Sequence, residues 1–246
     1  VIASVLTAIF GSMLVWSASL SDMASENDPQ SYLKRHLLNV AIGIALGVLV
    51  SKVNYRSLLA YTPIIYGLSV FTLILPFVPG IGASVAGARA WVDLPGGFTL
   101  QPSEFAKIAV ILMMASVLSE KQDSESEPRD REVLVSIGVA ALPLLIILFQ
   151  NDTGTVLILG SVVLSIIAVS GARTRWVVGL IGGAVVSIML AIQLGLLKSY
   201  QVARLTSFMN PQADTGSTAW NANQARIAIG GGGMTGYGLF EGPQTQ

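Results

Sequence analysis

The 246 residues contain no cysteine and one histidine. Disulfides, thiolate nucleophiles, zinc-finger spacings and a histidine-built metal centre are thereby excluded. Charge is equally scarce: Asp, Glu, Lys and Arg make up 11% of the chain, against about 25% in an ordinary soluble domain. Fourteen basic residues balance fourteen acidic ones. With zero net charge and no long basic block, nothing argues for nucleic acid or for a polybasic lipid anchor. Apolar residues fill the space left: 52% of the chain is hydrophobic and the mean hydropathy is +0.68. A soluble fold of this length has too little polar surface to cover so much. The few charges are bunched between long apolar runs, which is the pattern of a membrane protein.

A window of about 19 residues places apolar spans near 1–20, 36–53, 58–79, 102–119, 133–149, 153–170 and 176–197. Alternation of polar and apolar residues is nearly absent, which excludes a barrel, and the backbone of such spans must satisfy itself internally. Residues 1–197 therefore read as an all-α, polytopic bundle of about seven transmembrane helices. Residues 198–246 are polar and glycine-rich and read as an extracytoplasmic loop, with Ile227-Ala228-Ile229 as its one apolar patch. Val1 stands inside an apolar run without a positive n-region, and Gln246 stands in loop sequence, so a fragment truncated at both ends is expected. Lys52, Arg56, Lys121, Arg129, Arg131, Arg173 and Arg175 fall in alternate links, which the positive-inside bias assigns to the cytoplasm. Gly43/Gly47 and Gly179/Gly183 are spaced for close helix packing. The acid-rich run from Lys121 to Glu132 reads as a solvated face without chemistry.

Charges within a span are costly and must be paired or face a polar cavity. Glu104 and Lys107 stand at i and i+3 in Gln101-Pro102-Ser103-Glu104-Phe105-Ala106-Lys107, on one helix face. They form either a self-neutralising pair that orients the helix or one wall of a cavity. Asp152, at the start of the sixth span before Gly154, is placed to cap that helix or to reach Lys107. Arg89 precedes Trp91, as an anion-binding rim or an interfacial anchor would. The last segment adds Arg204, Arg226 and the glycine run 230–233, which reads as a backbone anion cradle or a hinge. Arg89, Lys107, Arg204 and Arg226 together suit a phosphate or pyrophosphate, because a guanidinium binds two oxygens at once.

The strings Gly87-Ala88-Arg89-Ala90-Trp91, Gln101 to Lys107, Asp152-Thr153-Gly154-Thr155, Tyr200-Gln201 to Arg204, and Gln224 to Gly238 followed by Gln244-Thr245-Gln246 resemble the SEDS family (shape, elongation, division and sporulation). They occur in family order across the whole chain. The ending Gly238 to Gln246 is similar to the elongation-type, RodA-like branch more than to the division-type, FtsW-like branch.

The resemblance implies part of a larger helical bundle in the bacterial cytoplasmic membrane. The expected activity is a peptidoglycan glycosyltransferase that polymerises lipid II at the outer face, with a class B penicillin-binding protein in the cell-wall elongation complex. It implies cationic roles for Arg89, Lys107, Arg204 and Arg226 and a structural ion pair of Glu104 and Asp152 with Lys107. It also implies a catalytic Asp beyond Gln246. The resemblance implies no definite cofactor, and a divalent cation such as magnesium would suit the pyrophosphate. The chain departs from the family where Gln150-Asn151 precedes Asp152 in place of Gln-Pro, and where Gly231-Gly232 replaces Ser-Gly. The competing function is a lipid II flippase, since buried charges in a bundle also mark translocation paths.

Overall fold

A computed structural model describes residues 2–18, 31–85, 87–95, 98–119, 128–195, 217–239 and 241–242. Among them are eight α-helices and three strands: α1 Ile2–Ala18, α2 Ser31–Ser51, α3 Tyr55–Thr72, β1 Gly82–Val85, β2 Ala88–Leu94, β3 Phe98–Leu100, α4 Pro102–Ser119, α5 Asp130–Phe149, α6 Thr153–Val169, α7 Thr174–Gln193 and α8 Ser217–Gly232. Five helical stretches are long and apolar enough to cross a membrane: Tyr32–Ser51, Tyr55–Phe77, Pro102–Ser119, Asp130–Phe149 and Thr174–Gln193. The other two expected spans are present as shorter apolar helices, Ala3–Ala18 and Thr153–Val169.

The chain divides into two compact units, Val1–Val53 with Leu197–Gln246, and Asn54–Leu196. In the first, α1 packs along α2. The segment expected as loop contains α8, a 16-residue helix that takes in Ile227 to Ile229 and runs on through Gly230, Gly231 and Gly232. The glycine run therefore closes a helix, and Gly230 to Gly232 lie within its last turn instead of forming a free cradle. Gly233 turns the chain at φ +57°, the left-handed conformation that commonly ends a helix. Tyr237 then folds back so closely that a Cβ on Gly231 would lie 2.8 Å from its hydroxyl.

In the second unit α4 is central, packing against α3, α5, α6 and β2. Its buried stripe Ala106, Val110, Met114 and Leu118 has the i, i+4 spacing of one helix face. The same spacing buries Thr155, Leu159, Val163 and Ile167 on α6, and Val133, Ser136, Ala140, Pro143 and Ile147 face inward on α5. The opposite faces expose Ile64, Leu68, Phe105, Leu134, Leu145 and Leu157. A helix apolar on both its packed and its exposed faces is suited to lipid.

Pro143 stands inside α5 and cannot donate to the carbonyl four residues back. Tyr66 of α3 supplies the missing donor: its hydroxyl donates to the Val139 carbonyl at 2.8 Å. The expected glycine contacts are not made. Among the described residues nothing lies within 4 Å of a Cβ built on Gly43, Gly47, Gly179 or Gly183, and α7 buries no residue. The spacing permits close approach but does not supply a partner helix.

The all-helical expectation also omits the antiparallel meander β1-β2-β3, in which Gly82 pairs with Val92 and Asp93 with Thr99. Its strands of 4, 7 and 3 residues are too short for period-two alternation to stand out in the sequence. Side chains alternate across β2, with Ala90 and Val92 buried and Arg89 and Asp93 exposed.

Candidate functional site at the hairpin end

Specific hydrogen bonds set the directions of the helices in the second unit. Gln150, at the end of α5, donates through Nε2 to the Leu73 carbonyl at the end of α3 (2.7 Å). Gln101, just before α4, donates through Nε2 to Asp152 Oδ2 just before α6 (3.0 Å). The Arg89 backbone N–H donates to the Gln150 carbonyl (2.9 Å) and brings β2 to the same place. The ends of α3 and α5, the starts of α4 and α6, and the β-meander therefore share one end of the unit.

Asp152 caps α6: Oδ1 accepts from the Thr155 N–H (3.1 Å) and Oδ2 from the Thr155 hydroxyl (2.7 Å). Such a cap satisfies donors that the first helical turn leaves orphaned. Lys107 is paired with Glu104 at 2.8 Å, the lysine side chain 19% exposed and the glutamate 55%. The expected link from Asp152 to Lys107 is not formed among the described residues. Asp152 takes Gln101 and Thr155, because the cap geometry already directs both of its oxygens to α6 and to the lead-in of α4. The pair reading of Glu104 and Lys107 holds as geometry.

Pro102 opens α4, where its missing N–H costs nothing, and it is buried together with Ser103. Gly154 is not sterically required, since a Cβ there would meet only Asp152 Oδ1 at an ordinary 3.7 Å. Arg89 is exposed on β2. Arg226 is exposed on α8 in the other unit, and Arg204 lies outside the described residues, as does the string Gln244-Thr245-Gln246. Among the described residues no three His, Asp or Glu side chains gather as metal ligands. Glu104 is engaged by Lys107, and Asp152 by Gln101 and Thr155.

A second polar cluster, at the opposite end, is one the sequence reading left without a role. Asp130 at the start of α5 accepts from Trp176 Nε1 (2.8 Å), forms an ion pair with Arg175, and lies 3.6 Å from Arg173. It ties α5 to the first turn of α7, and its signal was an acid opening one apolar span opposite two arginines opening another. Gln150 was also missed as a tie between helices. Its signal was an uncharged polar residue at a span end, which must bond something once buried.

These features define a multi-pass helical membrane protein with a polar cluster at each end of a bundle, one of them beside a small β-meander. A family model described as "Cell cycle protein", joining FtsW, RodA and SpoVE, matches residues 1–246, and the chain belongs to that family. It is 34% identical over 245 residues to the probable peptidoglycan glycosyltransferase FtsW of Trichlorobacter lovleyi, covering 96% of this chain and 61% of that protein. It is 33% identical over 250 residues to the stage V sporulation protein E of Bacillus subtilis, covering 99% and 66%. Among solved structures it resembles the rod shape determining protein RodA of Thermus thermophilus, with TM-score 0.56, 23% identity, and 74% of this chain and 58% of that one covered. It also resembles a chain from a structure described as "Structural coordination of polymerization and crosslinking by a peptidoglycan synthase complex", with TM-score 0.65, 24% identity, and coverage of 92% and 64%. The chain spans about three fifths of the length of the first of these relatives. The SEDS resemblance and the multi-pass fold are thus borne out.

Proposed function

We propose that the protein to which this chain belongs is a peptidoglycan glycosyltransferase that polymerises lipid II at the outer face of the cytoplasmic membrane, with the hairpin end facing outward. The observation that carries this reading is the gathering of Arg89, the Glu104–Lys107 pair and the Gln101–Asp152 bond at one end of one unit. In such a transfer the 4-hydroxyl of an acceptor sugar attacks the anomeric carbon of a donor. The bond from that carbon to the pyrophosphate oxygen breaks, and the hydroxyl proton passes to a general base. Charge therefore develops on the leaving pyrophosphate, and fixed cations stabilise it most where water is excluded.

Arg89, exposed and free to present a guanidinium fork, is assigned to that pyrophosphate. Lys107 contributes a field that its ion pair with Glu104 offsets, and Asp152 holds the start of α4 in register. The general base is not assigned to a residue of this stretch. Because no three His, Asp or Glu side chains gather among the described residues, a divalent cation would travel with the substrate pyrophosphate instead of occupying a protein cage in this stretch. A flippase needs polar access from both faces. The buried middle of the unit, lined by Val110, Met114, Ala140 and Leu159, favours the one-sided polymerase.

The partner assigned is a class B penicillin-binding protein of the elongation machinery. The elongation role rests on the string Gly238 to Gln246, whereas relatives at 33–35% identity carry FtsW and SpoVE names. Full-length protein with its partner, supplied with lipid II in detergent, should yield glycan chains. Arg89→Ala should lower turnover about a hundredfold without lowering the melting temperature. A folded, partnered protein that makes no glycan overturns the assignment. Rescue of cells depleted of their division-type but not their elongation-type polymerase overturns the elongation role.

A further inference from the structure

Gln150 has no exposed surface, yet the reaction gives it no task. Its Nε2 donates to the Leu73 carbonyl, but its Oε1 is buried with no hydrogen-bond partner. Burying a half-satisfied amide is unfavourable, and a methionine of similar length would fill the space without that cost. Space-filling therefore does not account for the glutamine; the N–H it supplies does. Leu73 closes α3, where the last carbonyls lack helical partners, and the Gln150 side chain reaches across from α5 to meet one of them.

That side-chain tie orients the Gln150 backbone. The next residue, Asn151, has φ +60°, a left-handed turn that redirects the chain into the α6 cap. The peptide carbonyl between the two residues is thereby aimed at β2, where it accepts from the Arg89 N–H at 2.9 Å. Among the described residues the Arg89 side chain makes no bond of its own, and the register of β1 and β2 is irregular opposite it, so this backbone contact helps fix where its guanidinium starts.

We propose that Gln150 is a positioning residue for Arg89: by fastening the α5–α6 turn to the end of α3, it holds the first strand residues of β2 where the guanidinium meets an anionic diphosphate. The anion part rests on the function proposed above; the mechanical part does not.

The test uses full-length protein carrying Gln150→Met, with Gln150→Asn as a second variant that keeps an amide too short to reach Leu73. In both variants, hydrogen exchange at the Arg89 amide should accelerate about tenfold, as the loss of one buried hydrogen bond allows. Turnover of the lipid-linked diphosphate substrate should fall about tenfold, with KM changed less than twofold. In an Arg89→Ala background, Gln150→Met should then leave turnover unmoved, because the group it positions is gone. Unchanged exchange at Arg89 in the folded variants, or turnover effects that simply multiply, overturns the positioning role. If the unsubstituted protein neither makes glycan nor binds inorganic pyrophosphate, the functional reading fails instead. The exchange measurement still decides whether Gln150 holds the strand.

Discussion

At the scale of single residues, glycine is required where backbone passes close to backbone. A Cβ on Gly82 would stand 1.9 Å from the carbonyl oxygen of Pro76, and neither atom belongs to a side chain that can swing away. Gly82→Ala must push β1 off the turn that follows α3, and overpacking of this kind costs about 1–3 kcal/mol. Thermal unfolding of the variant in detergent should show the loss. Gly154→Ala, where the nearest atom is at 3.7 Å, should leave the midpoint unchanged and serves as the control. None of this was legible in the sequence, where Gly82 looks like any loop glycine. The i, i+3 pair of Glu104 and Lys107 was legible, because helical geometry alone brings such residues together. The partner of Asp152 was not. Gln101 lies fifty-one positions away, and the choice between it and Lys107 depends on the cap that Thr155 imposes on the carboxylate.

At the scale of elements, the apolar runs announced the helices because lipid leaves the backbone no alternative. The β-meander went unread because three short strands carry too few residues to display a period. Proline inside a span is the more informative case. Pro143 forfeits a bond to the Val139 carbonyl, and Tyr66 replaces it from another helix, so α3 and α5 are coupled at that point. Tyr66→Phe should therefore destabilise the protein by about 1 kcal/mol. Pro143→Ala restores a backbone N–H to the same carbonyl, and in that background Tyr66→Phe should cost almost nothing. Equilibrium unfolding of the four proteins closes the cycle. A coupling of about 1 kcal/mol is expected, and additive effects would show that the tyrosine merely fills space. Asp130 does comparable work between α5 and α7 by charge, which matters more for a helix that buries none of its residues.

At the scale of the whole molecule, the absence of cysteine becomes an experimental advantage. Orientation is expected from charge. Arginines 129, 131, 173 and 175 surround the end where Asp130 meets Trp176, and the positive-inside bias assigns that end to the cytoplasm. The other end carries the β-meander with Arg89 and the Gln101–Asp152 bond, and the proposed function turns that end to the outer leaflet. The bias and the proposed function require the same arrangement, so one measurement tests them together. Thr99, exposed on β3, and Thr174, exposed at the start of α7, are polar surface positions that tolerate a small thiol. In a full-length protein with any other cysteines replaced, Thr99→Cys should react with a membrane-impermeant maleimide on intact spheroplasts. Thr174→Cys should react only after permeabilisation. The reverse pattern would turn the candidate site toward the cytoplasm, where undecaprenyl-linked donor is made and not polymerised, and the glycosyltransferase assignment of this end would fall with it.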